Sequence, residues 1–239
     1  MKDCDRFIEE AKALFESYQP LDSNDVDGLN LARLQNCNGS FKAINGDYYL
    51  NRSYNGLVFQ RHFDMTIIVD RTGRLVIPIV FLRKEKQLYG YLHFLKDNTC
   101  CLGLTHEVII AWGEKQEAKV FFEDIVDIFL IDYLTFKETK KFAYGEERPH
   151  DEMGTVDYYK GLLEMESHGC TVALRYIYDK VNRREYAKGH NLCPCGNGKA
   201  IRHCHGVQIN SFINSLNINT ELKAAFLQDL RGQMERRIS

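Results

Sequence analysis

Between residues 41 and 97 the chain passes through "FKAINGDYYL", "LVFQRHFDMTIIVD", "LVIPIVF" and "LYGYLHFLKD", runs rich in β-branched and aromatic residues. The joins between them hold "NG", "RTG" and "RKEK", too short for the crossover that parallel neighbours require. Successive strands with such joins predict an antiparallel meander. Pro78 cannot donate to a ladder, so its run is expected at a sheet edge or at a bulge.

The flanks read differently. Residues 5–18 place Phe7, Ile8, Ala11, Leu14 and Phe15 at helical spacing, with Pro20 soon after, which predicts an amphipathic helix. Residues 21–40 are polar and turn-rich, with room for a short helix. "LTHEVIIAW", residues 104–112, reads as a further strand. Residues 121–142 repeat apolar positions at helical spacing through Phe122, Ile125, Phe129 and Tyr133, with Glu123 and Asp124 placed to complement the helix dipole. The loop "AYGEERPHDEMG" leads to two more helical segments, "TVDYYKGLLE" and "CTVALRYIYDK". Helix, meander, cysteine-bearing segment and helices make an α+β layout. The expected division is a main domain over 1–185 and a tail over 186–239 ending in a helix from about residue 220.

With 239 residues, 44 % of them apolar, and a net charge of −2, the chain can build a sizeable core and advertises no field for nucleic acid or membrane. "MKDCDRFIEEAKALF" has acidic residues where a secretory signal needs a continuous apolar stretch, and no run approaches membrane-spanning length. The expected compartment is the cytoplasm. There the eight cysteines are thiols, metal ligands or a nucleophile rather than a disulfide framework.

Three of the cysteines fall within twelve residues. Cys193, Cys195, Cys204 and His205 form C-x-C-x8-C-H, a donor set suited to tetrahedral Zn²⁺ with no coordination position left for water. Gly196 and Gly198 let the chain turn behind the first ligand pair, and the metal would replace the missing core. The alternatives are a flexible tail with incidental cysteines, or His203 as a substitute ligand. "GNGK" lacks the length and the preceding strand of a phosphate loop. "CPCGNGKAIRHCHG" resembles the SEC-C zinc motif, found at the end of the SecA translocase ATPase and on the tails of many bacterial proteins. That resemblance implies a structural and adhesive module that mediates protein or ribosome contacts.

"DNTCCLG", residues 97–103, poses a different question. In an extended segment Cys100 shares a face with Leu102 and Cys101 with Thr99, which places Cys100 inward and Cys101 outward. Either cysteine taken alone is packing more often than chemistry. The order around the pair, "YGYLHFLKDNTCCLG" and then "FFEDIVDIFLIDYLTF", resembles the active-site region of a bacterial ubiquitin-conjugating-enzyme-like domain over roughly residues 40–165. The "GEERPH" loop, Gly145 to His150, and the SEC-C tail also resemble that branch, whose setting includes short type II CBASS antiphage operons. The resemblance implies a ubiquitin-conjugating-enzyme-like fold, a thioester-forming cysteine at Cys101, and a cyclic-oligonucleotide synthase as protein partner. The family's His-Pro-Asn is absent. Its asparagine position, eight residues before the cysteine, is held by His93. His93 would donate to a developing oxyanion or take a proton from an amine; the alternative is a strand histidine satisfied by backbone. His106 and His150 lie on segments that can approach the site.

The expected activity is transfer of a partner's C-terminus from Cys101 to an amine. A competing expectation is a non-catalytic adaptor that docks a client through the zinc tail. A cysteine hydrolase would need a Cys–His pair with an orienting acid, for which the sequence carries no local signature.

Overall fold

A computed structural model describes residues 3–21, 40–72, 75–85, 87–95, 97–144 and 152–235. The chain divides into two compact units, Met1–Gly103 with Glu107–Glu146, and Leu104–His106 with Glu147–Ser239. The expected boundary at 185/186 falls inside the second unit. The reason is a shared core: Cys193 and Ile201 of the cysteine-rich segment are buried with Cys170, Leu174 and Ile177 from the preceding helix.

The first unit is a mixed α+β structure around a four-stranded antiparallel sheet in the order β1-β2-β3-β4. Helix α1 spans Cys4–Lys12, with Asp3 accepting from the Arg6 N–H at its start. The helix stops well short of residue 18, because Phe15–Leu21 is strand β1. Phe7, Ile8 and Ala11 fill the buried helical face, and Phe15 is buried from the strand instead. Strands β2 (Phe41–Tyr54) and β3 (Leu57–Asp70) pair along their whole length across Asn55-Gly56, both at positive φ as a type I′ turn requires. Strand β4 is only Ile79–Leu82, directly after Pro78, at the far edge of the sheet.

The run 88–97 is not a named strand. It folds back on residues 99–101 through an isolated bridge between Phe94 and Cys100, and a bridge from Thr99 to Phe81 carries this small ladder onto the outer side of β4. Residues 105–112 are a helix, α2 (Thr105–Trp112), rather than a strand. Val108, Ile109 and Trp112 recur at helical spacing and are all buried, and Trp112 packs on Phe7 at 5.3 Å and on Phe121 at 4.9 Å. A short apolar run is ambiguous by pattern alone; burial of one face resolves it.

The expected helix over 121–142 begins earlier. It comprises α3 (Ala118–Phe121), a π-helical turn Phe122–Val126 and α4 (Asp127–Thr139), closed by Lys140 in the left-handed conformation. Within this unit the buried Asp127 carboxylate accepts from the Tyr48 hydroxyl at 2.6 Å and from Arg52 Nε at 2.7 Å, and Arg52 reaches Glu123 at 3.2 Å. Burial pushes the Asp127 pKa up despite both partners, and burial beside Asp127 pushes that of Tyr48 up as well.

The second unit contains α5 (Glu152–Leu163), α6 (Ser167–Arg183), a 3-10 turn Ile201–His203, α7 (Gly206–Ile218) and α8 (Thr220–Glu235). The terminal helix was expected; α7 before it was not. Its core joins Tyr159, Leu163, Ile177, Ile213 and Phe226. Asp229, half-buried, accepts from the Thr105 and His106 N–H groups at 2.8 and 3.0 Å and from the Tyr159 hydroxyl at 3.1 Å. Among the described residues no helix is long and apolar enough to cross a membrane.

Candidate active site and metal centre

The ladder at the edge of β4 sets the register of the cysteine pair. Cys100 donates its N–H to Val80 at 2.8 Å, Cys101 donates to the His93 carbonyl at 2.7 Å, and Leu95 donates to Thr99 at 2.9 Å. With Phe94 opposite Cys100, His93 stands opposite Cys101, and directly opposed residues of an antiparallel pair send their side chains to one face. Cys100 is buried, whereas Cys101, Leu102 and His93 are half-buried. The structure therefore brings the two sequence-selected residues together and leaves the Cys101 side partly open to solvent.

The His93 ring makes T-shaped contacts with two aromatic rings, Tyr91 at 5.1 Å and Phe142 at 5.8 Å. Neither neighbour was anticipated. Tyr91 sits two residues from His93 on the same face of an extended segment, a signal the sequence does carry. Phe142 carries no such signal, because it arrives from the turn after α4. Tyr91 is buried, and its burial together with the nearby Asp132 charge keeps the phenol protonated.

His106 belongs to the second unit. It is buried against Tyr158, Tyr159 and Phe212, with Nδ1 3.0 Å from the Tyr158 hydroxyl, and burial lowers its pKa to about 4. A neutral, enclosed imidazole of this kind is structural. His150, Cys37 and the "GEERPH" loop lie outside the described residues. In the first unit, Asp47 and His62 line a cleft of about 790 Å³, and His62 Nδ1 pairs with Asp47 at 3.0 Å and Glu16 at 3.7 Å on an exposed face.

The metal centre is built within the second unit. Cys193 is fixed by its N–H to the Lys199 carbonyl at 2.8 Å, and the Gly196 N–H returns to the Cys193 carbonyl at 3.2 Å. Gly196 and Gly198 take φ of +82° and +75°, the turn conformation the spacing called for. Cys204 follows the 3-10 turn, and His205 immediately precedes α7. The four ligand atoms lie within 4.8 Å of one another. Cys195 and Cys204 sulfurs are 3.4 Å apart, and His205 Nδ1 is 3.5 Å from Cys193 and 3.0 Å from Cys204. A tetrahedral zinc at ordinary bond lengths needs edges of about 3.8 Å between sulfurs and about 3.5 Å from sulfur to nitrogen. The donor set and its spacing fit such an ion.

Burial pushes Cys195 up to about 11, while at Cys204 hydrogen bonds from Cys195, Asn197 and Cys193 outweigh burial and hold the thiol below its ordinary value. Asn197 Nδ2 donates to the Cys204 sulfur at 2.8 Å, a contact that would support a ligating thiolate and that sequence reasoning passed over. Its signal was its place between Gly196 and Gly198. His203 lies outside the cluster, its Nε2 accepting from Arg202 Nε at 3.0 Å.

No protein-family model matches the chain, and no solved structure matches it. Over 107 residues it is 28 % identical to the protein translocase subunit SecA of Caulobacter sp. (strain K31), an alignment covering 40 % of this chain and 12 % of that protein.

Proposed function

We propose that the protein is a cysteine-dependent conjugating enzyme with a ubiquitin-conjugating-enzyme-like first unit, carrying a partner's C-terminus as a thioester on Cys101. The observation that supports this reading is the cross-strand placement of His93 opposite a half-buried Cys101, beside a Cys100 that is buried. One thiol packs and its neighbour is accessible, with a hydrogen-bonding ring on the same face.

The chemistry runs in two steps. The Cys101 thiolate attacks the carbonyl carbon of an activated C-terminus, the new C–S bond forms, and the activating group leaves. An amine then attacks the thioester, the C–N bond forms, the C–S bond breaks with Cys101 leaving as the thiolate, and the amine loses its proton to His93 or to water. In both steps negative charge develops on the carbonyl oxygen, which an imidazole N–H at His93 would stabilise. The acceptor class is a protein amine. The resemblance of this region to CBASS conjugating enzymes makes a cyclic-oligonucleotide synthase the first acceptor to test, in an antiphage setting.

The zinc module would bind Zn²⁺ through Cys193, Cys195, Cys204 and His205 and supply structure, since four protein ligands fill the coordination sphere. The partial identity with SecA and the SEC-C-like residues both support this reading. A second reading, a non-catalytic adaptor that binds a client through this module, is favoured by the exposed Leu192 and Val207 next to the ligand segment.

The two readings separate on one experiment. The full chain is incubated with a peptide C-terminal thioester and with proteins encoded beside it, then resolved on non-reducing gels and by intact mass. A thiol-sensitive adduct that disappears in Cys101→Ala supports the enzyme; no adduct with any donor supports the adaptor.

A further inference from the structure

Resting on the thioester reading, we propose that Asp132 is a positioning residue for His93, acting through a clamp on Ala143 that seats the Phe142 ring against the imidazole. Helix α4 ends at Thr139, and Lys140 leaves it in the left-handed conformation, so residues 141–144 form a turn at the surface. Such a turn would ordinarily leave its backbone groups to water. Here both groups of Ala143 are taken by protein. Its N–H donates to Asp132 Oδ1 at 2.7 Å, and its carbonyl accepts from the Tyr54 hydroxyl at 3.1 Å. The Tyr144 ring closes on Tyr54 at 4.5 Å.

The clamped residue lies next to the one that matters. Phe142 packs on Phe136 at 5.0 Å and stacks on Tyr91 at 5.9 Å, and both Phe142 and Tyr91 meet the His93 ring in T-shaped contacts. Asp132 is buried, and placing a carboxylate there is unfavourable unless it is hydrogen-bonded. A surface turn needs no such anchor to satisfy an amide. It needs one if the position of Phe142 must be fixed. An imidazole on a two-stranded ladder can rotate about its side-chain bonds, and only some orientations aim an N–H at the oxyanion. The two flanking rings restrict that rotation, and Asp132 holds one of them in place.

The test uses the full chain with Asp132→Ala, Asp132→Asn and Phe142→Leu. Two readouts are taken: the His93 ring C–H resonances by NMR, and the single-turnover rate, across pH, at which a peptide loaded on Cys101 from its C-terminal thioester passes to free lysine. Asparagine keeps an oxygen for the Ala143 N–H, so Asp132→Asn should retain the wild-type resonance and rate. Asp132→Ala and Phe142→Leu should shift or broaden the His93 signals and slow transfer about 10- to 100-fold, with loading half-saturation unchanged. If Asp132→Ala does not fold, Phe142→Leu carries the comparison. Unmoved His93 resonances in the folded variants overturn the clamp, whatever the activity. Asp132→Asn as damaging as Asp132→Ala overturns it too, because charge rather than the hydrogen bond would then matter. Failure of wild-type protein to form any thioester defeats the enzyme reading alone, and the resonances still decide the clamp.

Discussion

Acidification should destabilise the second unit through His106, by an amount that follows from its burial. The imidazole is 2 % exposed and enclosed by Tyr158, Tyr159 and Phe212, and its pKa is lowered to about 4 from 6.5. A depressed folded pKa means that the folded state favours the neutral ring. The stability it contributes is full above the unfolded pKa and is lost as pH falls from about 6.5 through about 4. Integrating proton uptake between pH 7.5 and 5 gives a loss of about 2 kcal/mol, and the limit below the folded value is about 3 kcal/mol. Other carboxylates and the zinc ligands also titrate, so the assay is a difference. Urea unfolding of wild type and His106→Gln is followed over that pH range. Glutamine can meet the Tyr158 hydroxyl but cannot take a proton, so the variant should lack about 2 kcal/mol of the wild-type pH dependence. Parallel pH profiles for the two proteins would refute the claim that His106 is held neutral by burial.

Replacing Asp127 with alanine leaves the Tyr48 hydroxyl and Arg52 without their buried acceptor. Because Arg52 is about one-third exposed and can rehydrate, the loss should be near the low end for broken buried pairs, about 3 kcal/mol in chemical unfolding, with Asp127→Asn less affected. Gly46→Ala should destabilise the sheet by about 1–3 kcal/mol, since an added Cβ would meet the Ser17 carbonyl oxygen at 2.4 Å and the Phe15 ring at 2.5 Å; an unchanged melting temperature would contradict the close approach of β1 to β2. Reduced protein purified without chelator should carry about one zinc per chain by metal analysis. That metal should be lost in Cys204→Ala and kept in His203→Ala.

How much of this was legible beforehand depends on whether the information was local. The C-x-C-x8-C-H spacing keeps all four ligands within thirteen residues, so the cluster can be read from the chain. The β2–β3 hairpin was equally local, with Asn55-Gly56 between matched runs. The helix expected over 5–18 ends early: Leu14 and Phe15 continue the helical period of α1, yet Phe15 belongs to β1. "LTHEVIIAW" is ambiguous because its five-residue apolar run, 108–112, fits both periods, and Asp229 helps decide it by accepting the first N–H groups of the helix from 123 and 124 residues away. At the candidate active site, alternation along an extended segment turns Cys101 outward and the resemblance to a ubiquitin-conjugating-enzyme-like domain points to His93, but neither gives their pairing. That pairing is a matter of register between two short segments, set by Phe94, Cys100 and the edge of β4. Asp132 and Phe142 were out of reach for the same reason, since only the turn after α4 brings them to His93.

Cys101 is the residue proposed to carry the thioester. The most direct measurement is intact mass and peptide mapping after exposure of the full chain to a peptide C-terminal thioester, in wild type, Cys100→Ala and Cys101→Ala. A single acyl adduct is expected on Cys101, released by free thiol, retained in Cys100→Ala and absent from Cys101→Ala. An adduct that persists without Cys101, or that maps to Cys100, would contradict this assignment.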